Sequence, residues 1–392
     1  MGVSVPSLPL VEPPERVALR ETVRTIGLRY GHDYFVDTAR ADGNPTELWH
    51  ELGAAGLLGV NVPEEYDGGG SGMSDLAVVT EELSAVGLPL MLLALSPAVC
   101  ATILAKHGSE EQKKQWLPRL ASGESVMAFA ITEPDAGSNT HRTRTVASAD
   151  GSGWRLNGGK YYVSHVDNSQ GILVVARTGE LDGRGRAQLS LFVVDSDAPG
   201  ITAEPIPVEI VSPERQFVLT FDDVRLPADA IVGEVGGGLA ALFSGLNPER
   251  IGSAALLNGI SRYALDKGTR YAREREVWGV PIGAHQAVAH PLARAHVEVE
   301  AARLLTARAA AMYDAGLPEA GSAASMAKFA AAEAATHALD AAMQAHGGNG
   351  MATEYGLATL LGLVRLFRIA PVSSEMSLNH IAQHELGLPK SY

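Results

Sequence analysis

The 392-residue chain holds a single cysteine, Cys100, so it can form no internal disulfide. Cys100 lies in an apolar stretch, where a thiol is expected to be a small buried hydrophobe and not a nucleophile. No Cys/His spacing suggests a metal site, so none is expected. Long apolar runs are missing too: none reaches about 18 residues, which argues against a membrane span. Positive charge is in deficit, with 31 Lys and Arg against 45 Asp and Glu and a formal net charge of −14. That balance argues against nucleic acid and anionic membranes as partners. The opening "MGVSVPSLPLVEPPER" lacks the basic start and apolar core of a secretory signal. Pro6 stands where a myristoylation signal wants Ser or Thr. The segment reads as a loose proline-rich arm, and the expected location is the cytoplasm. There are no repeats at solenoid periods, no Rossmann fingerprint and no P-loop.

The length allows two or three domains, and 46% hydrophobic residues fit a soluble globular chain. Residues 1–125 read as helical. "TELWHELGAAGLLG" has helical apolar spacing and a glycine stop, "SDLAVVTEELSAVG" offers Ser74 as a cap, and "SEEQKKQWLPRLASGE" offers Ser109. Residues 126–228 are β-branched and aromatic, punctuated by Gly, Asn, Asp and Pro, as in "QLSLFVVD" and "RQFVLTFDDVRLP", and predict an antiparallel β domain. Residues 229–392 turn helical and alanine-rich, with three stretches long enough for bundle helices. The fold class is therefore α+β in an α–β–α order.

Three glycine-containing motifs stand out. "FAITEPDAGSNT" (129–140) joins the helical block to the strands, with glycine and hydroxyls that let a backbone lie against a flat cofactor or a phosphate. "NGGKYYVSH" (157–165) is a turn and strand. "QAHGGNG" (344–350) follows a helix, where its glycines also suit a plain C-cap. Each is weak alone. Together with "PEEYDGGGSGMSDLAVVTEELSAVG", "HGSEEQKKQWLPRLASGE", "FDDVRLP" and "YAREREVWGVPIGAHQ", all in order, they make the sequence resemble the acyl-CoA dehydrogenase family over nearly its whole length.

The resemblance implies an N-terminal helical domain, a central β domain, a C-terminal four-helix bundle, bound FAD and a homotetramer or dimer. By position it implies that Phe129, Ile131, Thr132, Gly137 and Ser138 face the flavin or the substrate's pantetheine arm. Tyr162 and Ser164 take the places of the family's usual Trp and Thr beside the flavin ring. Arg275, Trp278 and Gln286 would hold the FAD pyrophosphate and adenine of a neighbouring subunit, with Gln344, Gly347 and Gly348 completing that site. An arginine fork donates in pairs to such a group. For Arg275 the plain alternative is a solvated helix arginine. The implied partners are an acyl thioester on CoA or a carrier protein, and an electron-transfer flavoprotein or other acceptor that reoxidises the FAD.

The family needs a carboxylate to remove an α-proton in a dry site. Most members carry it in a "YEGTSE" stretch. Here "APVSSE" puts Pro371 at the glutamate, Val372 at the glycine and Ser373 at the threonine. Glu375 matches a later, non-catalytic position, so Ser373 and Glu375 are expected beside the cofactor. Pro371 has no N–H to give the thioester carbonyl; Val372 N–H is a substitute. A branch resembling isovaleryl-CoA dehydrogenase carries its base in "LDLERL", and "LNPERI" (246–251) places Glu249 there, followed by Arg250. The expected substrate contacts are thus Ser138, Arg250, Pro371 and Val372, and the expected base is Glu249. The competing reading makes Asn247 a cap, Pro248 the first residue of a helix and Glu249 a dipole-favoured first-turn acid. Two functional alternatives remain beside the dehydrogenase: a flavin monooxygenase on the same fold, and a non-catalytic FAD-binding homologue.

Overall fold

The computed structural model describes residues 12–179, 183 and 188–390; residues 1–11 of the expected proline-rich arm lie outside them. The N-terminal helices are α1 (Pro14–Leu28), α2 (Gly31–Arg40), α3 (Thr46–Ala54), α4 (Met73–Ala85), α5 (Leu92–Leu95), α6 (Thr102–His107) and α7 (Glu110–Ala121). A π-helical turn, Ser96–Ala101, joins α5 to α6 into one buried rod. Ser109 caps α7 as expected. Its Oγ accepts the Gln112 N–H at 3.2 Å while Gln112 Oε1 accepts the Ser109 N–H at 3.0 Å, a reciprocal capping box. Ser74 does not cap α4. It lies inside the helix, and the free N–H groups of Met73 and Ser74 are taken at 2.7 and 2.9 Å by the carboxylate of Asp314, 240 residues beyond Ser74. A cap supplied from so far along the chain leaves no local pattern to read.

Eight strands form one sheet: β1 (Met127–Ala130), β2 (Val146–Asp150), β3 (Gly153–Ser164), β4 (Gly171–Arg177), β5 (Leu189–Asp195), β6 (Ile201–Ile206), β7 (Gln216–Leu226) and β8 (Ile231–Val232). Their order is β6-β7-β3-β2-β4-β5-β8, with β1 also on β4. The sheet is mainly antiparallel, as expected, with two parallel pairs where β1 and β2 meet β4. After β1 the chain leaves the sheet through a long loop and returns as the β2–β3 hairpin, so β4 re-enters in the direction of β1.

The C-terminal part comprises α8 (Gly238–Glu274), a small hairpin of β9 (Glu276–Val277) and β10 (Val280–Pro281), α9 (Gln286–Asp314), α10 (Ala320–His346), α11 (Leu361–Leu366) and α12 (Ser374–His384). Three long helices form the bundle, and α12 packs on α10 as its short fourth member. Among the described residues no helix is long and apolar enough to cross a membrane.

No helix starts at Pro248. The 37-residue α8 runs straight through it. A proline inside a helix frees the carbonyl four residues back, here that of Ser244. The Tyr313 hydroxyl donates to this carbonyl at 2.6 Å and itself accepts from Lys106 Nζ at 2.7 Å. Along one face of α8, Gly245, Gly252 and Gly259 recur every seven residues. A Cβ at Gly245 would stand 2.6 Å from Ile103, and one at Gly259 2.3 Å from the Glu81 carbonyl oxygen. This bare stripe seats α4 and the α5–α6 rod directly on α8, and one hydrophobic core runs through both helical blocks.

Asp314→Ala should cost about 1–2 kcal/mol, as loss of an N-cap does, whereas Ser74→Ala should stay within about 0.5 kcal/mol. Denaturant unfolding of the two variants checks this assignment of the α4 cap.

Candidate active site

Glu249 projects from α8 on the glycine stripe, four residues after Gly245 and three before Gly252, and so faces the α5–α6 rod. It is only 9% exposed, and no described residue donates a hydrogen bond to its carboxylate. Burial pushes the carboxyl up to about 7, against the opposing pull of Arg250 and Lys328. Arg250 makes no ion pair with it among the described residues; its Nη1 donates to Asn247 on the same helix at 2.8 Å, and its Nε has no partner. Glu249 sits well inside α8, so the first-turn reading falls. Cys100, on the π turn, is fully buried, with burial and the nearby Glu249 charge both raising its thiol. As expected, it is an inert packing residue.

Pro371 and Val372 lead into α12. Ser373 is the N-cap, its Oγ accepting the Met376 N–H at 3.2 Å. Glu375 is exposed in the first turn, and hydrogen bonds from its own N–H and the Ser373 side chain hold its carboxyl below the ordinary range. Such a carboxylate is a poor proton acceptor, whereas Glu249 is a good one near neutral pH. Lys328 Nζ, from α10, donates to the Val372 carbonyl at 2.5 Å. Since Lys328 also acts electrostatically on Glu249, the α8 carboxylate and the Pro371–Val372 turn belong to one locale.

The "AITEPDAGSN" loop is tied to the sheet by a buried ion pair. Lys160 of β3 is fully buried and donates to Glu133 at 2.8 Å and to the Ile131 carbonyl at 3.0 Å. Glu133 also accepts the Arg144 and Thr145 N–H groups at 2.6 and 3.1 Å. Burial pushes its carboxyl up, but Lys160 and these donors outweigh that and hold it below the ordinary range. The Thr132 carbonyl accepts the Tyr161 N–H at 2.8 Å, so this loop and the bulged end of β3 are neighbours. At the bulge Tyr162 has φ 57° and is 53% exposed, while Ser164 Oγ is hydrogen-bonded to Gln216. Phe129 is buried on β1, Ile131 and Thr132 are half-buried, and Gly137 and Ser138 are exposed at the loop's turn.

A second locale is a cleft of about 510 Å³ at the end of α8 and α10. It brings together Arg275, Gln344, Gly347 and Gly348, with Tyr271, His346 and Asn349. Tyr271 stacks on His346 at 4.2 Å between centroids, and Asn349 Nδ2 donates to the Tyr271 and Tyr355 hydroxyls. Arg275 ends α8 in extended backbone, and its guanidinium has no ion pair among the described residues. A Cβ at Gly347 or Gly348 would meet nothing within 4 Å, so the backbone there is open to a ligand. A free guanidinium, open glycine backbone and an aromatic wall suit a pyrophosphate joined to a flat ring. Trp278 and Gln286 do not line this cleft: Trp278 is 89% exposed on the hairpin, and Gln286 is exposed at the start of α9.

Three family models match in chain order: the acyl-CoA dehydrogenase N-terminal domain over residues 13–124, the middle domain over 128–224 and the C-terminal domain over 236–386. Acyl-CoA dehydrogenase FadE12 of Mycobacterium tuberculosis is 53% identical over 383 residues, covering 97% of this chain and 98% of that protein. The chain belongs to the acyl-CoA dehydrogenase family. Among solved structures, a glutaryl-coenzyme A dehydrogenase–glutaryl-CoA complex superimposes with a TM-score of 0.91 at 30% identity, covering 98% of each chain. A glutaryl-CoA dehydrogenase from Mycobacterium smegmatis in complex with FADH2 gives 0.89 at 28% identity, covering 97% of this chain and 96% of that one.

This acyl-CoA dehydrogenase is therefore an oxidoreductase of the expected three-part fold. Sequence reasoning missed three of its residues. Lys160 and Glu133 were hidden as charges inside quoted motifs. Lys328 had a readable signal: it shares the buried α10 face with Ala324, Ala331 and Ala335. Lys160→Met should destabilise the protein by about 3–5 kcal/mol, because Glu133 stays buried without its partner. Adding Glu133→Gln should recover much of that loss in a double-mutant cycle read by denaturant unfolding.

Proposed function

We propose that this enzyme oxidises the Cα–Cβ bond of an acyl-CoA with Glu249 as the α-proton base. The observation that carries the reading is a nearly buried carboxylate with no hydrogen-bond donor and an affinity for protons near neutrality. Such a group on a rigid helix is placed for proton abstraction in a dry site. FAD is the cofactor of this reading, and when bound it supplies a two-electron acceptor that takes the Cβ hydride at N5. Arg275, Gln344, Gly347 and Gly348 would hold the pyrophosphate and adenine end of the FAD of a neighbouring subunit. The Thr132 loop and the Tyr162–Ser164 strand end face the ring of the chain's own FAD, with Gly137 and Ser138 toward the pantetheine arm and Ser373 at the head of α12. Exposed Trp278 and Gln286 fit contacts with that neighbouring FAD, so the working form in this reading is a homo-oligomer. An electron-transfer flavoprotein returns the enzyme to its oxidised state. CoA is the preferred thioester carrier, with a carrier protein as the other outcome of substrate screening.

The carbonyl of the thioester must lose its partner at position 371, since proline has no donor. Among the described residues no acceptor is paired with the Val372 N–H, which is the donor we assign in its place. Removing one such donor costs on the order of 3 kcal/mol, so this replacement matters for rate.

Glu249→Gln keeps the shape and removes the proton acceptor. Anaerobic flavin bleaching by a panel of acyl-CoAs should slow by roughly 10²-fold or more, with FAD content unchanged. Near-normal bleaching would remove the base and bring the monooxygenase reading forward. In the wild type the bleaching rate should rise with pH through about 7 and level off above it, because only the ionised carboxylate accepts a proton. Arg275→Ala should lower the FAD retained on purification, and full occupancy with unchanged affinity would count against the pyrophosphate role.

A further inference from the structure

We infer that Lys328 is a positioning residue: from α10 it holds the Val372 carbonyl in place and directs its ammonium charge toward Glu249. The inference rests on the reading of Glu249 as the base.

Lys328 is wholly buried, yet its single hydrogen bond goes to a neutral carbonyl, and it forms no ion pair among the described residues. A buried ammonium with so little compensation is costly: burial, then the Arg250 charge, lower Lys328 to about 8, which leaves it cationic at neutral pH. The alanines that share its helix face show that packing alone would be served by an apolar side chain. Its charged surroundings come from three elements. Glu249 and Arg250 face it from α8, Glu375 from α12, and Glu333 lies on α10 itself. Glu333 is already paired with Arg368, and Glu375 is exposed and held by its own cap. Around Glu249 the charged and titratable neighbours are Arg250, Lys328 and the Cys100 thiol of the π turn. Lys328 is the member of this group that also touches the turn at position 372.

The hydrogen bond to Val372 and the electrostatic reach to Glu249 have one chemical use. When Glu249 takes the α-proton, the Cα–H bond breaks. The electron pair stays on carbon and spreads to the thioester oxygen, and the proton rests on the carboxyl. Negative charge thus leaves Glu249 for an oxygen expected at the Val372 N–H. Lys328 acts on both ends of this path, by its charge at Glu249 and by its hydrogen bond at Val372. It favours the ionised base beforehand, and its grip on the Val372 carbonyl orients the adjoining peptide afterward. With Lys328, Glu249 stays ionisable near neutral pH despite its burial; without it, only Arg250 opposes desolvation.

The test is an infrared difference titration of the full-length, FAD-loaded enzyme. It follows the carboxyl band that disappears in Glu249→Gln and needs no substrate. In Lys328→Met the midpoint of Glu249 ionisation should move up by about one pH unit, about tenfold in its acidity. The pH profile of flavin bleaching by butyryl-CoA should move the same way, because loss of a nearby cation destabilises the carboxylate. Lys328→Arg should keep the wild-type midpoint. A folded, FAD-loaded Lys328→Met enzyme that titrates at the wild-type pH would overturn the inference. Lys328→Gln serves the same purpose should the Met variant fail to fold. Failure of the base assignment shows separately, as normal bleaching in Glu249→Gln.

Discussion

The bare stripe of α8 is the constraint on which the site depends. Gly245, Gly252 and Gly259 let α4 and the α5–α6 rod come within side-chain-free distance of one helix. The seven-residue spacing keeps the glycines on one face over four turns. Glu249 occupies the same face between two of them. The close approach that excludes water from the helix contact therefore also strips water from the carboxylate. Packing and base strength are one feature, and filling the stripe would disturb both.

Four carboxylates show how environment divides one chemical group into separate tasks. Glu375 is capped in solvent and stays acidic. Glu133 is buried but matched by Lys160 and two backbone donors, and it anchors a loop. Glu214 is buried and raised, but it accepts the Leu92 N–H at 3.0 Å and a Ser212 hydroxyl, so it fastens a β-domain loop to the start of α5. Glu249 alone is buried with no donor. Charge, burial and hydrogen bonding together single it out; no one of the three would.

The fold was legible wherever periodicity and composition change along the chain. The helix of Ser109, the β-rich middle and the alanine-rich helices follow from local pattern. The family resemblance also named the cleft residues Arg275, Gln344, Gly347 and Gly348, which no local pattern alone would have assigned to one site. What escaped depends on contacts across long separations. The α4 cap comes from Asp314, the continuity of α8 through Pro248 relies on Tyr313, and the parallel entry of β1 beside β4 is decided by a loop path. Pro248 misled for a plain reason: in sequence it marks a helix start, and only a tertiary donor lets the helix pass through it. Lys328 was visible as a lysine on an alanine face, but its partner at Val372 was not.

The Glu133–Lys160 clasp lies wholly within the β domain and its loop, whereas Glu249, its glycines and the rod opposite it belong to the helices. The two scaffolds are nevertheless joined: Val99, Cys100 and Ile103 of the rod share one hydrophobic core with Met127 and Phe129 of β1, the strand from which the clasped loop leaves. A substitution on the rod therefore disturbs two places at once, the carboxylate on α8 that it faces and the strand behind it.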